Sequence, residues 1–342
     1  MRKLGVAVVG VGKLGRRHAE NLKRRIPEAQ LVAVADIDGR VALQVATELE
    51  VEHSYNALDG LLERRDVQAI VIASPSKFHG ELIQAAAKAG KHVFCEKPLA
   101  LTLEQGDAAL AAVNKAGVQL QIGFMRRFDP AYAAAKKRIE AGDIGDPIIF
   151  KSVGRDKHPP PRSFFENGVN GTIFSDAAIH DFDLARWMMG DEIVEVHTFA
   201  GLLACPELAR LVDLDAGLVN LRFGRGGIGS VEAFRKASYG YDIRTEILGT
   251  KGALHIGYLH QTPVLLLTEA GVTYDVVDHW LERFSNAYQS ELHEFVLSVL
   301  GGRPTWPAGE DGRAALAVAI AAENSYRQAR PISISAQRRA AP

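Results

Sequence analysis

The sequence predicts an α/β chain in two parts: a doubly wound parallel sheet, then an α+β domain carrying an open, mainly antiparallel sheet. Three observations carry this expectation. The first third repeats short, uniformly apolar runs separated by amphipathic segments. The first run ends in Gly10-Val11-Gly12-Lys13-Leu14-Gly15. After Gly123 the runs lengthen and begin to alternate, with glycine pairs and a Thr-Lys-Gly turn between them.

The early runs are LGVAVVG (4–10), LVAVAD (31–36), AIVIAS (69–74), HVFCEK (92–97) and LQIGF (120–124). They are rich in Val, Ile or Phe and lack polar alternation, as strands covered on both faces do. ELIQAAAKAG and EQGDAALAAVNKAG lie between them and end in Ala-Gly, a helix stop. Strand, helix and strand in repetition imply right-handed crossovers. This places a first domain at 1–123 and a second at 124–335. In the second, FDPAYAAAKKRIEAGDIG reads as an amphipathic helix. PIIFKSVGR, GLVNLRFGRGGIGSVEAFRK, YDIRTEILGTKGALHIG and PVLLLTEAGVTYDVV read as antiparallel hairpins. Two helices follow, LERFSNAYQSELHEFVLSVL and EDGRAALAVAIAAENSYRQA. HPPPRSFFENGVNG (158–171) reads as a loop of a length that is often functional.

Composition narrows the function classes. The chain has 342 residues, 47% hydrophobic and 24% charged, with a net charge of −1. That gives no general attraction to nucleic acid or to an anionic membrane. The basic cluster KLGRRH reads as a solvated helix face or a local anion site. Cys95 and Cys205 stand far apart and match no ligand spacing, which speaks against a zinc site or a disulfide framework. Cys95, in an apolar strand, reads as a buried inert thiol. The N-terminal apolar run passes directly into the glycine loop and is too short for a signal segment. No segment approaches the roughly 18 apolar residues of a membrane span. A cytoplasmic enzyme is the expectation.

The glycine loop follows a strand, opens a helix and begins a βαβ unit, the setting of a Rossmann dinucleotide site. There the helix N-terminus offers N–H groups and a positive dipole end to a pyrophosphate. A tight turn without a ligand is the weaker alternative. Asp36 ends the second strand, twenty-one residues after Gly15. It can accept bonds from ribose hydroxyls, and with Asp38 it would repel a 2′-phosphate, favouring NAD over NADP. Arg40 points the other way, and capping of the next helix is another role for Asp36. In SPSKFH (74–79), Pro75 and Ser76 could set backbone beside a cofactor or form a Ser-capped turn. Lys97 in CEKPLA follows a strand directly, and Pro98 restricts it to extended backbone. Its ammonium could address a substrate hydroxyl, or it could be an exposed turn lysine. In SDAAIHD, Asp176 and His180 stand one helical turn apart. Alone, the pair reads best as a helix cap plus a core histidine. A metal pair is the weakest reading, because no further Cys/His cluster supports it.

VVGVGKLGRRH, SPSKFH, EKPLA and SDAAIHDFDLARWMMG together resemble the glucose–fructose oxidoreductase / inositol dehydrogenase / rhizopine catabolism (Gfo/Idh/MocA) family. FMRRFD (124–129), YGYDIRTEILGTKG (239–252) and WLERFSNAYQSELHEF (280–295) resemble its inositol 2-dehydrogenase branch. The resemblance covers nearly the whole chain. It implies NAD-dependent oxidation of a secondary ring hydroxyl of an inositol, myo- or scyllo-, to an inosose. It also implies a catalytic set of Lys97, Asp176 and His180. An imidazole with an unperturbed pKa near ~6.5 suits removal of the hydroxyl proton. Lys97 would polarise the hydroxyl and Asp176 orient both groups.

By the same resemblance, cofactor contacts come from Gly10, Gly12, Lys13, Leu14, Gly15, Asp36, Ile37, Ser74, Pro75, His79, Glu96, Lys97, Met125 and Arg126. Substrate contacts come from Lys97, Arg127, Asp156, Asp176, His180, Asp183 and Tyr239. Four of these have plain structural alternatives: an ion pair for Arg127, a loop cap for Asp156, a helix-surface acid for Asp183, strand-edge packing for Tyr239. The family's antiparallel sheet forms subunit contacts, which implies a homotetramer. Two departures stand where substrate would be read: NGVNGTIFSD replaces a run of glycines, and the loop from Lys157 to Arg162 differs from inositol-type versions. An NAD-dependent sugar dehydrogenase acting on a pyranose or an anhydrosugar such as levoglucosan is therefore the first alternative. A non-catalytic NAD(H)-binding sensor is the second.

Overall fold

The five apolar runs of the first third form strands, and a sixth strand joins them. A computed structural model describes residues 3–165, 170–211, 214–257 and 260–335. In it β1 (Leu4–Val9), β2 (Ala29–Ala35), β3 (His53–Tyr55), β4 (Ala69–Ile72), β5 (His92–Glu96) and β6 (Leu120–Gly123) make one parallel sheet. The order is β3-β2-β1-β4-β5-β6, so strand order reverses between β1 and β4, where open sheets of this kind bind ligands. Sequence patterning misses β3 because it is three half-buried residues, His-Ser-Tyr, on the sheet edge.

Packing divides the chain into two compact units: 1–125 with 286–316, and 126–285 with 317–342. The segment 286–316, which the sequence division assigns to the second domain, packs in the first unit. The reason is apolar: Leu292, Phe295 and Val296 of the Ser285–Leu300 helix join the cluster of Val6, Val8, Leu22, Val71 and Phe94. Sequence order alone cannot show that a late helix returns to an early sheet.

The second unit holds β7 (Pro147–Arg155), β8 (Ile193–Gly201), β9 (Ala216–Phe223), β10 (Ile228–Phe234), β11 (Asp242–Gly249), β12 (Ala253–Ile256) and, further along the chain, β15 (Ile332–Ser333). Their order is β12-β11-β7-β10-β9-β8-β15. All pairs are antiparallel except β7 with β10. β9 shows the half-covered sheet plainly: Val219, Leu221 and Phe223 are buried, while Leu218, Asn220 and Arg222 are exposed. The helix Ile179–Met189 packs on β7 and β10, and every residue in it except Trp187 is buried. β13 (His260–Thr268) and β14 (Gly271–Val276) form a separate exposed hairpin. The 158–171 segment contains a short helix, Arg162–Phe165, and 166–169 lie outside the described residues.

A Cβ at Gly15 would come within 1.7 Å of the Gly10 carbonyl oxygen, whereas nothing lies within 4 Å of one at Gly12. Gly15→Ala should therefore destabilise the protein by about 1–3 kcal/mol, the range for overpacking, and Gly12→Ala by far less. Urea denaturation of the two variants checks this.

Candidate active site

The three loop glycines do different work. Gly10 has φ +80°, and a Cβ there would meet the Ser74 backbone nitrogen at 2.6 Å, so β1 and β4 end in close contact. Gly15 lets the Lys13–Arg24 helix seat against that turn. Gly12 faces open space and caps the helix with no side-chain bond, and the first turn carries no acid. The positive helix end is thus left for an anion, and a pyrophosphate fits it.

Asp36 binds the loop rather than capping a helix. Its Oδ2 accepts from Val11 N at 2.9 Å and its Oδ1 from Asp38 N at 3.0 Å. Asp38 is the cap, accepting from Arg40 N at 3.0 Å. The Arg40 guanidinium forks onto the same carboxylate at 3.1 and 2.8 Å. That pairing holds the Asp38 carboxyl below its usual range and counters the attraction Arg40 would offer a 2′-phosphate. Ile37, between the two acids, is 93% exposed.

Beyond Ser74 and Pro75 the chain makes a 3-10 turn at Ser76–Phe78 and enters the His79–Lys88 helix, with no side-chain cap at either start. The buried His79 ring lies 2.7 Å from the Pro98 carbonyl oxygen through Nδ1 and 2.8 Å from that of Ser74 through Nε2. It ties the turn after β4 to the turn that carries Lys97. Both partners only accept, so both contacts are hydrogen bonds only when both ring nitrogens hold protons. Burial opposes this and pushes the His79 pKa down. The Glu96 carboxylate turns inward, 2.7 Å from His18 Nε2. His18 is fully enclosed, so the basic face of KLGRRH is solvated through Lys13, Arg16 and Arg17, and the two arginines pair with Glu20. Burial raises the Cys95 thiol well above its ordinary range, which keeps it inert. Met125 is buried where the first unit ends.

In the second unit Asp176 lies in a π-helical turn, Phe174–Ala178, and the α-helix begins only at Ile179. The cap positions are Ile173 for the π turn and Ala178 for the α-helix, so Asp176 sits inside the turn. Its N–H donates to Thr172 O at 2.8 Å, and its carboxylate accepts from Arg235 Nη1 at 3.1 Å. His180 follows on the first α-turn, 8% exposed. Because β7 and β10 run parallel, the residues after them share one sheet edge. Asp156 N donates to Phe234 O at 2.8 Å and Ala237 N to Asp156 O at 2.7 Å. The Tyr239 hydroxyl accepts from Arg155 at 2.6 Å and donates to Asp242 at 2.7 Å. Asp156, Asp176 and Tyr239 are thus gathered at one end of this sheet, with His180 on the adjoining helix.

Three of the residues expected at the ligands are held in buried ion pairs. Arg127 grips Asp183 with two bonds of 2.8 and 2.6 Å and stacks over Trp187 at 5.7 Å. Their side chains are 2% and 1% exposed, so Arg127 is a structural ion pair and Asp183 is no surface acid. Arg126 directs its guanidinium at Asp181, at 2.6 Å. Arg235 is the residue missed. Its signal is in the strand period: Val231, Ala233 and Arg235 follow at i, i+2 and i+4, and the first two are buried. An arginine on a buried face needs a carboxylate, and Asp176 supplies it.

A family model described as an oxidoreductase family, NAD-binding Rossmann fold, matches residues 4–124. A second, the oxidoreductase family's C-terminal alpha/beta domain, matches 136–334. The chain belongs to the Gfo/Idh/MocA oxidoreductase family. It is 42% identical over 333 residues to a scyllo-inositol 2-dehydrogenase (NAD(+)) of Bacillus subtilis, covering 97% of this chain and 96% of that protein. It is 38% identical over 330 residues to a myo-inositol 2-dehydrogenase of Thermotoga maritima, covering 96% and 98%. A crystal structure of scyllo-inositol dehydrogenase from Lactobacillus casei with bound NAD(H) and scyllo-inositol aligns with a TM-score of 0.92 at 31% identity, covering 98% of this chain and 100% of that one. The open helix end at Gly12, the Asp36 turn and the Arg40–Asp38 pair suit the NAD cofactor of this family.

Breaking the Arg127–Asp183 pair should leave a buried uncompensated charge. Asp183→Ala is expected to lose about 3–5 kcal/mol of stability, and Arg127→Met/Asp183→Leu much less, measured by urea denaturation.

Proposed function

We propose that this chain is an NAD-dependent dehydrogenase that oxidises a secondary ring hydroxyl of scyllo- or myo-inositol to the corresponding inosose. The observation that carries the proposal is the arrangement of Asp176 and His180 on consecutive π and α turns, beside Asp156 and Tyr239, in a chain matched end to end by inositol dehydrogenases. Bound NAD supplies the hydride acceptor. His180 takes the hydroxyl proton as general base. Lys97 stabilises the negative charge that develops on the oxygen. Asp176, held from behind by Arg235, orients the reacting hydroxyl. Asp156 and Tyr239 bond other ring hydroxyls, so an analogue lacking one leaves a polar partner unmatched.

The quaternary proposal is a homotetramer acting in the cytoplasm. Its support is exposed apolar surface: Val264, Leu265, Leu266, Leu267 and Val272 on the β13–β14 hairpin, and Phe199 and Leu218 on the open sheet. Contiguous apolar surface of this kind marks an interaction site, and a second copy of the chain offers the same chemistry in return. No helix among the described residues is long and apolar enough to cross a membrane.

Lys97→Ala is expected to lower kcat by about a hundredfold or more while leaving NAD affinity within a small factor. Wild-type turnover in that variant would end the assignment. A panel of scyllo-, myo- and D-chiro-inositol, glucose and levoglucosan with NAD, followed at the nicotinamide absorbance, should favour an inositol. Faster turnover of a pyranose would replace that substrate, and tight NADH binding without any turnover would indicate a sensor.

A further inference from the structure

His18, Glu96 and Glu291 converge inside the first unit. Their potential ligand atoms all lie within 4.8 Å of one another, and all three side chains are buried. They come from three elements: the Lys13–Arg24 helix, the end of β5 and the Ser285–Leu300 helix. His18 Nε2 is 2.7 Å from Glu96 Oε1. Its ring stands edge-on to Phe94 and Tyr288, with centroids 5.5 and 5.9 Å away. Glu96 lies against Gly123, where a Cβ would come within 2.9 Å of its Oε2. Glu291 is 0% exposed, and neither of its carboxylate oxygens has a hydrogen-bond partner.

Two carboxylates this close and out of water do not both remain charged without a cation or a proton between them. The direct His18–Glu96 bond turns two of the three donor atoms toward each other instead of toward a common centre. That geometry favours a proton over a metal ion. The titratable groups facing Glu291 are Glu96 from β5 and His18 from the first helix. Gln121 from β6 is neutral and donates to the Glu291 backbone carbonyl at 2.8 Å. Burial first, and the Glu96 charge second, push the Glu291 pKa well above its ordinary value.

We propose that Glu291 is held as a neutral carboxylic acid beside Glu96, and that the His18–Glu96–Glu291 cluster is a positioning device for Lys97. Glu96 is the last residue of β5 and Lys97 the next. A carboxylate bonded by His18 and flanked by a buried neutral acid fixes the point from which the lysine departs, as outer hydrogen bonds orient the groups that touch substrate. The kinetic part of this proposal rests on the dehydrogenase reading above, and the protonation part does not.

The experiment uses the full-length protein with Glu291→Gln, which keeps a donor of the same shape, and Glu291→Leu, which removes it. Infrared difference spectra of wild type minus Glu291→Gln at neutral pH should show the carbonyl band of a protonated carboxylic acid. A carboxylate pair of bands instead overturns the proposal whatever the substrate. Stoichiometric metal in the wild type that is lost in Glu291→Gln overturns it too. A raised acid pKa in the folded state stabilises most below the unfolded value and loses that contribution as pH rises through the folded one. Wild type should therefore lose stability relative to Glu291→Gln as pH climbs above the ordinary glutamate value of 4.5. On an inositol, Glu291→Gln should keep most of kcat, and Glu291→Leu should lose about ten- to a hundredfold with NADH affinity unchanged. Equal kcat in both variants removes the positioning role. Should Glu291→Leu fail to fold, the spectra and the kcat of Glu291→Gln still decide.

Discussion

Charge taken out of water has to be paired, and the second unit is organised around that constraint. The helix Ile179–Met189 is buried on nearly every side yet carries Asp181, Asp183 and Arg186. Each has a partner: Arg126 for Asp181 and Arg127 for Asp183, both from the 3-10 turn Met125–Phe128, and Glu192 for Arg186. Two of these pairs tie the helix to the Met125–Phe128 turn and the third ties it to the start of β8. His180 on its first turn is placed by that seating, and Asp176 just before it is placed by Arg235. The buried pairs of Arg126 and Arg127 thus form a frame behind these two residues.

The two units apply one geometric rule in two kinds of sheet. In the first, all strands run parallel and the turns after β1, β4 and β5 bring Gly12, Ser74 and Lys97 to the carboxyl end. In the second, only β7 and β10 run parallel, and it is their shared end that collects Asp156, Arg235 and Tyr239. Elsewhere in that sheet antiparallel pairing sends successive strand ends to opposite edges. A single parallel pair inside an antiparallel sheet is the local condition for gathering polar groups from separate strands.

Most of the first unit was legible in the sequence because its signals are local. Uniform apolar runs, Ala-Gly helix stops and the spacing of Gly10, Gly12 and Gly15 each depend on a few adjacent residues. The resemblance supplied the oxidoreductase family and its NAD cofactor, which the full-length matches bear out. What stayed hidden depends on distant pairing. Glu96 beside Lys97 could not be known to face His18, nor Arg126 to face Asp181. Asp36 was legible as a turn acid, but its bond to Val11 N was not. Arg235 was within reach, since strand alternation alone puts it on the covered face.

The π turn at Phe174–Ala178 amounts to one residue inserted into an otherwise α-helical path. Each α-helical residue advances the chain by about 100° around the axis. Removing one residue from this turn would let an ordinary helix run through, and the carboxylate of Asp176 would swing by about that angle while the downstream imidazole kept its seat. The angular relation between the acid and the histidine is therefore encoded by chain length across five residues, independently of which side chains occupy the other four. Among homologous chains, an alignment gap inside this segment would signal altered chemistry even where both residues are retained.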